Sequence, residues 1–234
     1  MISTARFANG NRLLQLLSAA DLGLLEPHLV AVTMKLRDRI ESPNKPIEYV
    51  VFPHSAIASV VAKHDGTDAE IGFVGCEGMT GTAVVLGSDR SANATYVQAP
   101  GEGRQISAQN LRASMDQSRS LHGVFLRYVQ AFMSQTAHTA IANARASLAE
   151  RLARWLLTAH DRVPGDRMAL THEFLGLMLA VRRAGVTEAV HDLQSRDLIE
   201  AARGEIVVHD RKGLEKIAGV YYGAPEAEYR RLFR

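Results

Sequence analysis

The chain has 234 residues with an ordinary globular composition, 47% hydrophobic and 22% charged, which is enough for one large domain or two smaller ones. Its 27 basic and 25 acidic residues leave a net charge of +2, so a polyanionic partner has to be recognised by local arginines and not by a broadly basic surface. No long apolar run predicts a membrane span, and the single cysteine, Cys76, excludes an intramolecular disulfide and fits the reducing cytoplasm.

The N-terminal segment predicts two short helices. Its first residues have neither a continuous apolar stretch nor a clear cleavage site, so we expect no secretory signal and a cytoplasmic location. Within residues 11–30, leucines recur at helical spacing. Ser18 precedes the second group of leucines and Asp21 follows it three residues later, which is the pattern of a helix N-cap.

From about residue 31 to residue 107 the pattern changes to short β-rich runs. The runs read IEYVVFP, AIASVVAK, AEIGFVG, ATYVQAP and EGRQIS. The turn residues that separate them are Pro43-Asn44, Pro53, Asp65-Gly66, Gly75, Gly87-Ser88 and Pro100-Gly101. Several short strands at this spacing predict an antiparallel sandwich or barrel.

A long helix is predicted over residues 119–143, after a short helix at 109–117. Two apolar stripes interleave along it, one made of Leu121, Phe125, Tyr128 and Phe132, and the other of Leu126, Val129, Met133 and Ala140. A helix with two apolar faces needs cover on two sides. One face can lie on the β-rich region and the other on the same helix of a second subunit. The alternative is a helix enclosed in the core of a monomer.

The C-terminal part predicts a helix pair followed by a β-hairpin. A helix over 147–163 comes first, and residues 170–199 then fit two short helices with a tight corner. The side chains expected to hold this pair together are Leu175, Leu179, Val181, Val186 and Val190. The segment AARGEIVVHD indicates a hairpin around Arg203-Gly204, and a last helix is expected at 213–223. A helix pair followed by such a hairpin is a winged helix-turn-helix.

This order of parts resembles the Crp/Fnr superfamily of bacterial transcription regulators. Residues 170–199 match the helix-turn-helix of that family without a gap, and the EGMTG and DRS elements at 77–81 and 89–91 are similar to a divergent subgroup of it. The resemblance implies an α+β fold whose N-terminal sensor domain, residues 1–118, is an antiparallel β-roll of the cyclic-nucleotide-binding, jelly-roll type. It further implies a dimerisation helix over 119–143 and a C-terminal winged helix-turn-helix DNA-binding domain over 144–234.

The resemblance also implies which side chains contact DNA, because the second helix of the pair enters the major groove in this family. The candidates are Thr171, Arg182, Arg183, Thr187, Glu188, His191 and Arg203. Arg182 and Arg183 would bind guanine and phosphate, Thr171 would cap the first helix beside a phosphate, and Arg203 would contact a phosphate from the wing tip.

Two departures from the family concern the operator and the corner. Family members that read DNA with an Arg-Glu-three-residue-Arg pattern have glutamate where this chain has Ala184 and arginine where it has Glu188, so we expect a different operator. The corner often has glycine where this chain has Ala180. If the backbone φ there is positive, the strain is of the order of 1 kcal/mol.

The expected ligand site of the sensor is altered as well. Arg90 and Ser91 lie where cyclic-AMP binders of the family hold the phosphate, but Thr80 or Thr82 stands where those binders have a carboxylate for the ribose. A threonine hydroxyl does not accept with the charge-assisted strength of a carboxylate. We therefore expect an effector other than cyclic AMP, and a cyclic-nucleotide-responsive regulator with a non-standard pocket is the alternative.

The expected partners are double-stranded DNA with a palindromic operator, a second copy of the chain and RNA polymerase, with no membrane partner. We predict no cofactor, no metal and no catalytic residue, because the sequence has no Ser-His-Asp arrangement, CxxC motif or phosphate loop. One cysteine also cannot hold an iron–sulfur cluster. A cupin-like metalloenzyme is a further alternative, although the His-x-His pair that it would need does not occur.

Overall fold

The computed structural model describes residues 10–63 and 68–234. The chain begins with two short helices, α1 (Arg12–Gln15) and α2 (Ala19–Leu25). The Ser18 hydroxyl accepts a hydrogen bond from the Asp21 amide at 3.1 Å, so the predicted cap of the second helix is confirmed.

Seven antiparallel strands form the β-roll in two sheets. The strands are β1 (Val30–Met34), β2 (Arg39–Glu41), β3 (Tyr49–Pro53), β4 (Ile57–Ala62), β5 (Ala69–Val74), β6 (Ala94–Ala99) and β7 (Gly101–Ser107). One sheet has the order β1-β7-β3 and the other β2-β6-β4-β5. The five predicted runs are β3 to β7, whereas β1, which is mostly exposed, and β2, which has only three residues, were not singled out. The turn expected at Asp65-Gly66 lies outside the described residues.

One short helix lies within the roll and two helices come after it. The helix α3 (Thr82–Val85), which was not predicted, lies between β5 and β6. After β7, the helix α4 (Ala108–Gln117) leads into the long helix α5 (Arg119–Arg145). The Ser118 hydroxyl accepts from the Leu121 amide at 3.2 Å and so caps α5. None of the helices that the structure describes is both long and apolar enough to cross a membrane.

One face of α5 packs on the roll and another is exposed. Leu121, Phe125 and Tyr128 are buried against it as predicted. Val129 is buried with them, which corrects its assignment to the second stripe. The apolar side chains that stay exposed are Leu126 at 42%, Met133 at 59% and Ile141 at 51%.

One row of exposed residues on α5 has the spacing of a heptad. Spacings of four and three residues alternate along a row that we call the α5 stripe, which consists of Leu126, Gln130, Met133, Ala137, Ala140 and Ala144. This alternation keeps one row of side chains facing a partner helix in a coiled coil. The second apolar face predicted from the sequence is thus present, but Val129 belongs to the buried face and not to it.

The C-terminal part contains the predicted helix pair and hairpin. Its elements are α6 (Leu148–His160), β8 (Arg167–Ala169), α7 (His172–Met178), α8 (Arg183–Ser195), β9 (Ile199–Ala202), β10 (Glu205–Val208), α9 (Arg211–Ala218) and α10 (Ala224–Leu232). The strands form an antiparallel sheet of order β8-β10-β9. Neither β8 nor α10 was predicted. The α+β class, with a β-roll, a long helix and a C-terminal winged helix-turn-helix, is confirmed.

Helix α6 joins this part to the β-roll through a buried aromatic contact. The rings of Trp155 on α6 and Phe73 on β5 meet edge to face with centroids 5.2 Å apart. Trp155 Nε1 donates to Glu70 Oε1 at 2.9 Å. Just beyond α6, Arg162 Nε donates to Glu77 Oε1 at 2.8 Å in a buried ion pair. The hydrophobic core of the helix-turn-helix therefore continues into the roll.

Glu70 is a buried carboxyl group that holds a proton at neutral pH. Burial raises its pKa to about 8, although the nearby Arg154 and Arg162 oppose the shift. Glu70 Oε2 lies 2.5 Å from Ser59 Oγ, and this hydroxyl also contacts the amide oxygen of Gln98. A hydroxyl has one proton to donate. A protonated Glu70 that donates to Ser59, which in turn donates to Gln98, satisfies every oxygen in this row.

We predict that Glu70→Gln removes part of the pH dependence of stability. The pKa of Glu70 in the folded protein, about 8, lies above its value in the unfolded chain. The contribution of Glu70 to the free energy of unfolding is therefore fully present below about pH 4 and is lost as the pH rises through about 8. The free energy of unfolding of the wild type should therefore fall relative to that of the variant between about pH 5 and 8, by a few kcal/mol.

Urea unfolding measured across this pH range tests the prediction. The exposed Glu48 offers a matched control, since Glu48→Gln should keep the wild-type profile. Parallel profiles of the wild type and Glu70→Gln would show that Glu70 does not hold a proton in the folded state.

Candidate nucleic-acid interface

The corner between α7 and α8 is held by the buried side chains that the sequence indicated. Leu175, Leu179, Val186 and Val190 are buried, and Val181 is partly buried against them. The Val181 amide donates to the Gly176 carbonyl at 2.9 Å. A Cβ atom on Gly176 would lie 3.0 Å from the Val181 carbonyl oxygen, so this close turn favours glycine at residue 176.

Ala180 has the positive φ that the sequence analysis considered, because related corners often have glycine at this position. Its φ is +51°, in the left-handed region that L-residues with a Cβ rarely adopt. The Leu179 amide still donates to Leu175 O at 2.9 Å, so α7 ends in a regular turn before the chain reverses. The strain at Ala180 is of the order of 1 kcal/mol.

Helix α8 presents its start and one face outward. Arg182 is the N-cap residue, makes no side-chain cap, and is followed by Arg183 as the first helical residue. Both side chains are exposed, and within the described residues neither has a carboxylate within 4 Å. Val186 and Val190 point into the core, so the helical period turns the opposite face to solvent. The exposed candidates on that face are Thr187, Glu188 and His191.

Thr187 already uses its hydroxyl proton inside the protein. Thr187 Oγ1 donates to the Arg183 carbonyl at 3.1 Å, and His172 Nδ1 lies 3.1 Å from the same oxygen. Since the threonine proton is taken, His172 Nδ1 is the donor in the second bond. The methyl group of Thr187 stays available for an apolar contact. His172 was not predicted, and only the three-dimensional contact between α7 and α8 reveals it.

Thr171 caps α7 at the N-terminal end. Its Oγ1 accepts from the Phe174 amide at 3.2 Å, which leaves the hydroxyl proton of this exposed residue free to donate. The N-terminus of a helix also carries partial positive charge. The cap and a phosphate contact are therefore compatible roles for Thr171.

The hairpin places Arg203 at an exposed tip. Strands β9 and β10 pair antiparallel, with Ala202 opposite Glu205, so Arg203 and Gly204 form the connection. Gly204 has φ +79°, the positive value that made glycine favourable in this turn. The predicted hairpin is confirmed, and the Arg203 guanidinium is displayed to solvent.

Arg90 and Ser91 lie in the loop before β6. The Arg90 guanidinium is exposed and makes two hydrogen bonds with the neighbouring Asp89, at 2.9 and 3.0 Å. Ser91 Oγ accepts from the Asn93 amide at 3.1 Å. Both side chains thus have local partners, and their role in binding a ligand stays a prediction.

Arg182 and Arg183 also border a cleft between the helix pair and the β-roll. The cleft measures about 1230 Å³, and its opposite wall contains Ser59, Tyr96 and Gln98 from β4 and β6. The start of α8 therefore faces the sheet of the roll.

Residues 10–63 and 68–234 contain no group of three His, Cys, Asp or Glu side chains placed to hold a metal ion.

One segment of the sequence is similar to a known domain family. Residues 150–217 match the family of Crp-like helix-turn-helix domains. This range includes α6, the helix pair, the hairpin and most of α9. None of the curated proteins is similar enough in sequence to count as a match.

Solved structures of Crp/Fnr regulators share the fold over most of this chain. A protein described as a transcriptional regulator of the Crp/Fnr family from Eubacterium rectale has a TM-score of 0.69 and 18% identity, with 91% of this chain and 99% of that one covered. FixK2 from Bradyrhizobium japonicum has a TM-score of 0.67 and 16% identity, with coverage of 82% and 98%. A Crp-family regulator from Thermus thermophilus has a TM-score of 0.67 and 17% identity, with coverage of 82% and 99%.

We predict that Ala180→Gly stabilises the protein by up to about 1 kcal/mol, because glycine adopts the positive φ of residue 180 without strain. The free energy of unfolding in urea measures the effect. Ala113, which is exposed within α4, provides the matched control, since Ala113→Gly should destabilise by roughly 0.5–1 kcal/mol. A loss of stability in both variants would argue against strain at the corner.

Proposed function

We propose that this chain is a homodimeric, sequence-specific DNA-binding regulator that acts in the cytoplasm. It has a Crp-like helix-turn-helix domain within the fold of the Crp/Fnr transcription regulators. The observation that carries the proposal is the pair of exposed arginines at the start of α8, neither of which has a carboxylate within 4 Å among the described residues. A guanidinium in this position can bind the O6 and N7 atoms of guanine in a bidentate manner. RNA polymerase as a partner stays an expectation from the family resemblance.

The α5 stripe supports a homodimer. Leu126 and Met133 are exposed on it at 42% and 59%, and alanines follow at the heptad positions toward the end of the helix. Small residues let two helices approach closely, and a heptad row packs against its own copy in a coiled coil. Two recognition helices of such a dimer would enter successive major grooves about 34 Å apart on a palindromic site.

We assign the described arrangement to the DNA-free state. Arg182 and Arg183 face the β-roll across a cleft that is far too small for a duplex. The helix-turn-helix has to move away from β4 and β6 before α8 can enter a major groove. An effector that binds the two arrangements unequally would shift the population between them.

An effector other than a cyclic nucleotide is supported by a buried carboxyl group in the roll. Glu41 Oε1 accepts from the Gly81 amide at 2.7 Å, directly before α3. This amide belongs to the EGMTG element, and the Glu41 carboxyl group occupies it from within the chain. Burial raises the pKa of Glu41. Thr80, one of the two residues that replace the family carboxylate, is buried, and its Oγ1 accepts from the Val51 amide at 2.9 Å.

We predict that Arg183→Ala weakens binding to the operator by about 10-fold or more, because a bidentate arginine–guanine contact is worth roughly 1–3 kcal/mol. The operator is first selected from a random DNA pool with the full-length protein. Mobility-shift titrations then compare the variants on the selected site and on unrelated DNA. Binding to unrelated DNA should fall much less.

Arg196, at the other end of α8, is the matched control. Its guanidinium is exposed and paired with Asp192 at 3.0 Å, so Arg196→Ala removes the same charge from the same helix. Equal losses for both arginines, or no loss for Arg183→Ala, would contradict the role of Arg183. Failure to select any sequence would contradict the proposed function itself.

We predict that Met133→Glu dissociates the dimer, because two glutamates would face each other across the α5 stripe. The dimer dissociation constant should rise about 100-fold, the equivalent of about 3 kcal/mol. Sedimentation equilibrium should give twice the chain mass of 25.6 kDa for the wild type and approach the monomer for the variant. Leu86→Glu places the same charge at an exposed leucine off the stripe and should stay dimeric. A monomeric wild type would refute the dimer.

We predict no binding of cyclic AMP or cyclic GMP to the full-length protein, since Glu41 occupies the Gly81 amide and a threonine stands where cyclic-AMP binders of the family have the carboxylate for the ribose. Isothermal titration calorimetry at millimolar nucleotide measures this directly. A saturable heat that Arg90→Gln abolishes would favour the cyclic-nucleotide-responsive alternative.

A further inference from the structure

The last helix, α10, is attached to the β-roll and α5, although it follows the helix-turn-helix part in the chain. Tyr229 Oη donates to the Glu77 carbonyl, in the loop after β5, at 2.8 Å. The centroid of the Phe233 ring lies 4.7 Å from that of Tyr229, and the Arg127 guanidinium of α5 lies 5.8 Å from the Phe233 ring. Both rings pack on the hydrophobic core that the roll shares with α5. These contacts fix α10 to the roll side of the molecule.

The segment just before α10 is fixed to the helix-turn-helix part instead. Tyr222 Oη donates to Asp161 Oδ2, just after α6, at 2.6 Å. Arg211, the first residue of α9, donates through Nη2 to Asp161 Oδ1 at 2.9 Å and to Tyr222 Oη at 2.6 Å. Arg154 Nε of α6 also donates to the Tyr221 carbonyl at 3.1 Å. The chain is therefore held on α6 and α9 up to residue 222.

A single residue, Gly223, connects these two attached segments. Helix α10 begins at Ala224, and the Gly223 amide donates to Glu226 Oε2 at 3.0 Å in the first turn, so the connection has no slack. One residue spans at most about 3.6 Å. The helix-turn-helix part as a whole can therefore separate from the roll by only a few ångströms while Tyr229 and Phe233 keep their contacts.

We propose that α10 is a clamp that holds the DNA-free arrangement and has to release the roll before α8 reaches a major groove. This inference rests on the proposed DNA binding, in which the helix-turn-helix moves away from β4 and β6. The clamp lies outside residues 150–217, the segment that matches the Crp-like domain. It acts on the position of the recognition helix and not on the DNA contacts. The apparent affinity for DNA is lowered by the fraction of molecules that are clamped.

Two variants weaken the clamp on its roll side. Tyr229→Phe removes the hydroxyl group that donates to the Glu77 carbonyl, and Phe233→Ala removes the ring that packs on Tyr229. Each should bind the selected operator about 2- to 10-fold more tightly than the wild type, because the loss of one net hydrogen bond shifts a population by about this factor. The Tm should fall at the same time. A contact that only stabilises the fold would lower the Tm without tightening operator binding.

Tyr49 provides the matched control for the lost hydroxyl group. It is 47% exposed at the start of β3, so Tyr49→Phe makes the same chemical change on the roll outside the clamp. This variant should keep the wild-type operator affinity and Tm.

The single tryptophan gives a readout that needs no DNA. The indole N–H of Trp155 donates to Glu70 of the roll, so its hydrogen exchange, followed by NMR, reports opening of the contact between α6 and the roll. Exchange should be about 2- to 10-fold faster in both clamp variants and unchanged in Tyr49→Phe. The buried amide of Phe125 in α5 serves as a reference for unfolding of the roll core, and its exchange should change less.

The two measurements separate the clamp from the proposed function. Indole exchange that is unchanged in both variants, or accelerated only as much as that of the Phe125 amide, would overturn the clamp whatever happens with DNA. Faster indole exchange with unchanged or weaker operator binding would show that α10 only stabilises the fold, and would overturn it as well. A wild type that selects no DNA sequence would contradict the proposed function, and the clamp with it as a control of DNA binding.

Discussion

The position of every part of this molecule depends on how α6 packs. Trp155 lies in the hydrophobic core of the helix-turn-helix and at the same time on Phe73 of the β-roll. Its indole donates to Glu70, a carboxyl group that burial keeps protonated. A neutral acid at this junction avoids the cost of a desolvated charge while still fixing the indole by a hydrogen bond. A single helix is therefore shared by two units that would otherwise have separate cores.

The orientation of α8 depends on this shared helix. The inward side chains of α8 pack in the same core as Trp155, so the orientation of α8 follows that of α6. In the docked arrangement Arg182 and Arg183 face the sheet of the roll and not open solvent on all sides. The β-roll and the helix-turn-helix are connected through buried contacts, and the ion pair of Arg162 with Glu77 adds a second connection 7 residues beyond the tryptophan.

The sequence was sufficient for several features that have a local cause. The β-rich runs, the Ser18 cap, the corner with Ala180 and the hairpin at Gly204 each depend on residues within a few positions, and their spacing identifies them. The contacts that join the units could not be predicted this way, since Glu70 and Trp155 are 85 residues apart. The burial of Val129 against the roll could not be predicted either, because helical spacing alone does not show which of two apolar faces the roll will cover. Helix α10 was missed because its polar sequence buries only Pro225.

The position of the single cysteine has a practical consequence. Cys76 is fully buried at the junction of the roll and the C-terminal helices, and burial raises the pKa of its thiol. A thiol reagent can reach it only when the packing around it opens, so the alkylation rate of the unmodified protein reports on that opening. Since no other cysteine competes, the chain contains its own kinetic probe of local opening at this site.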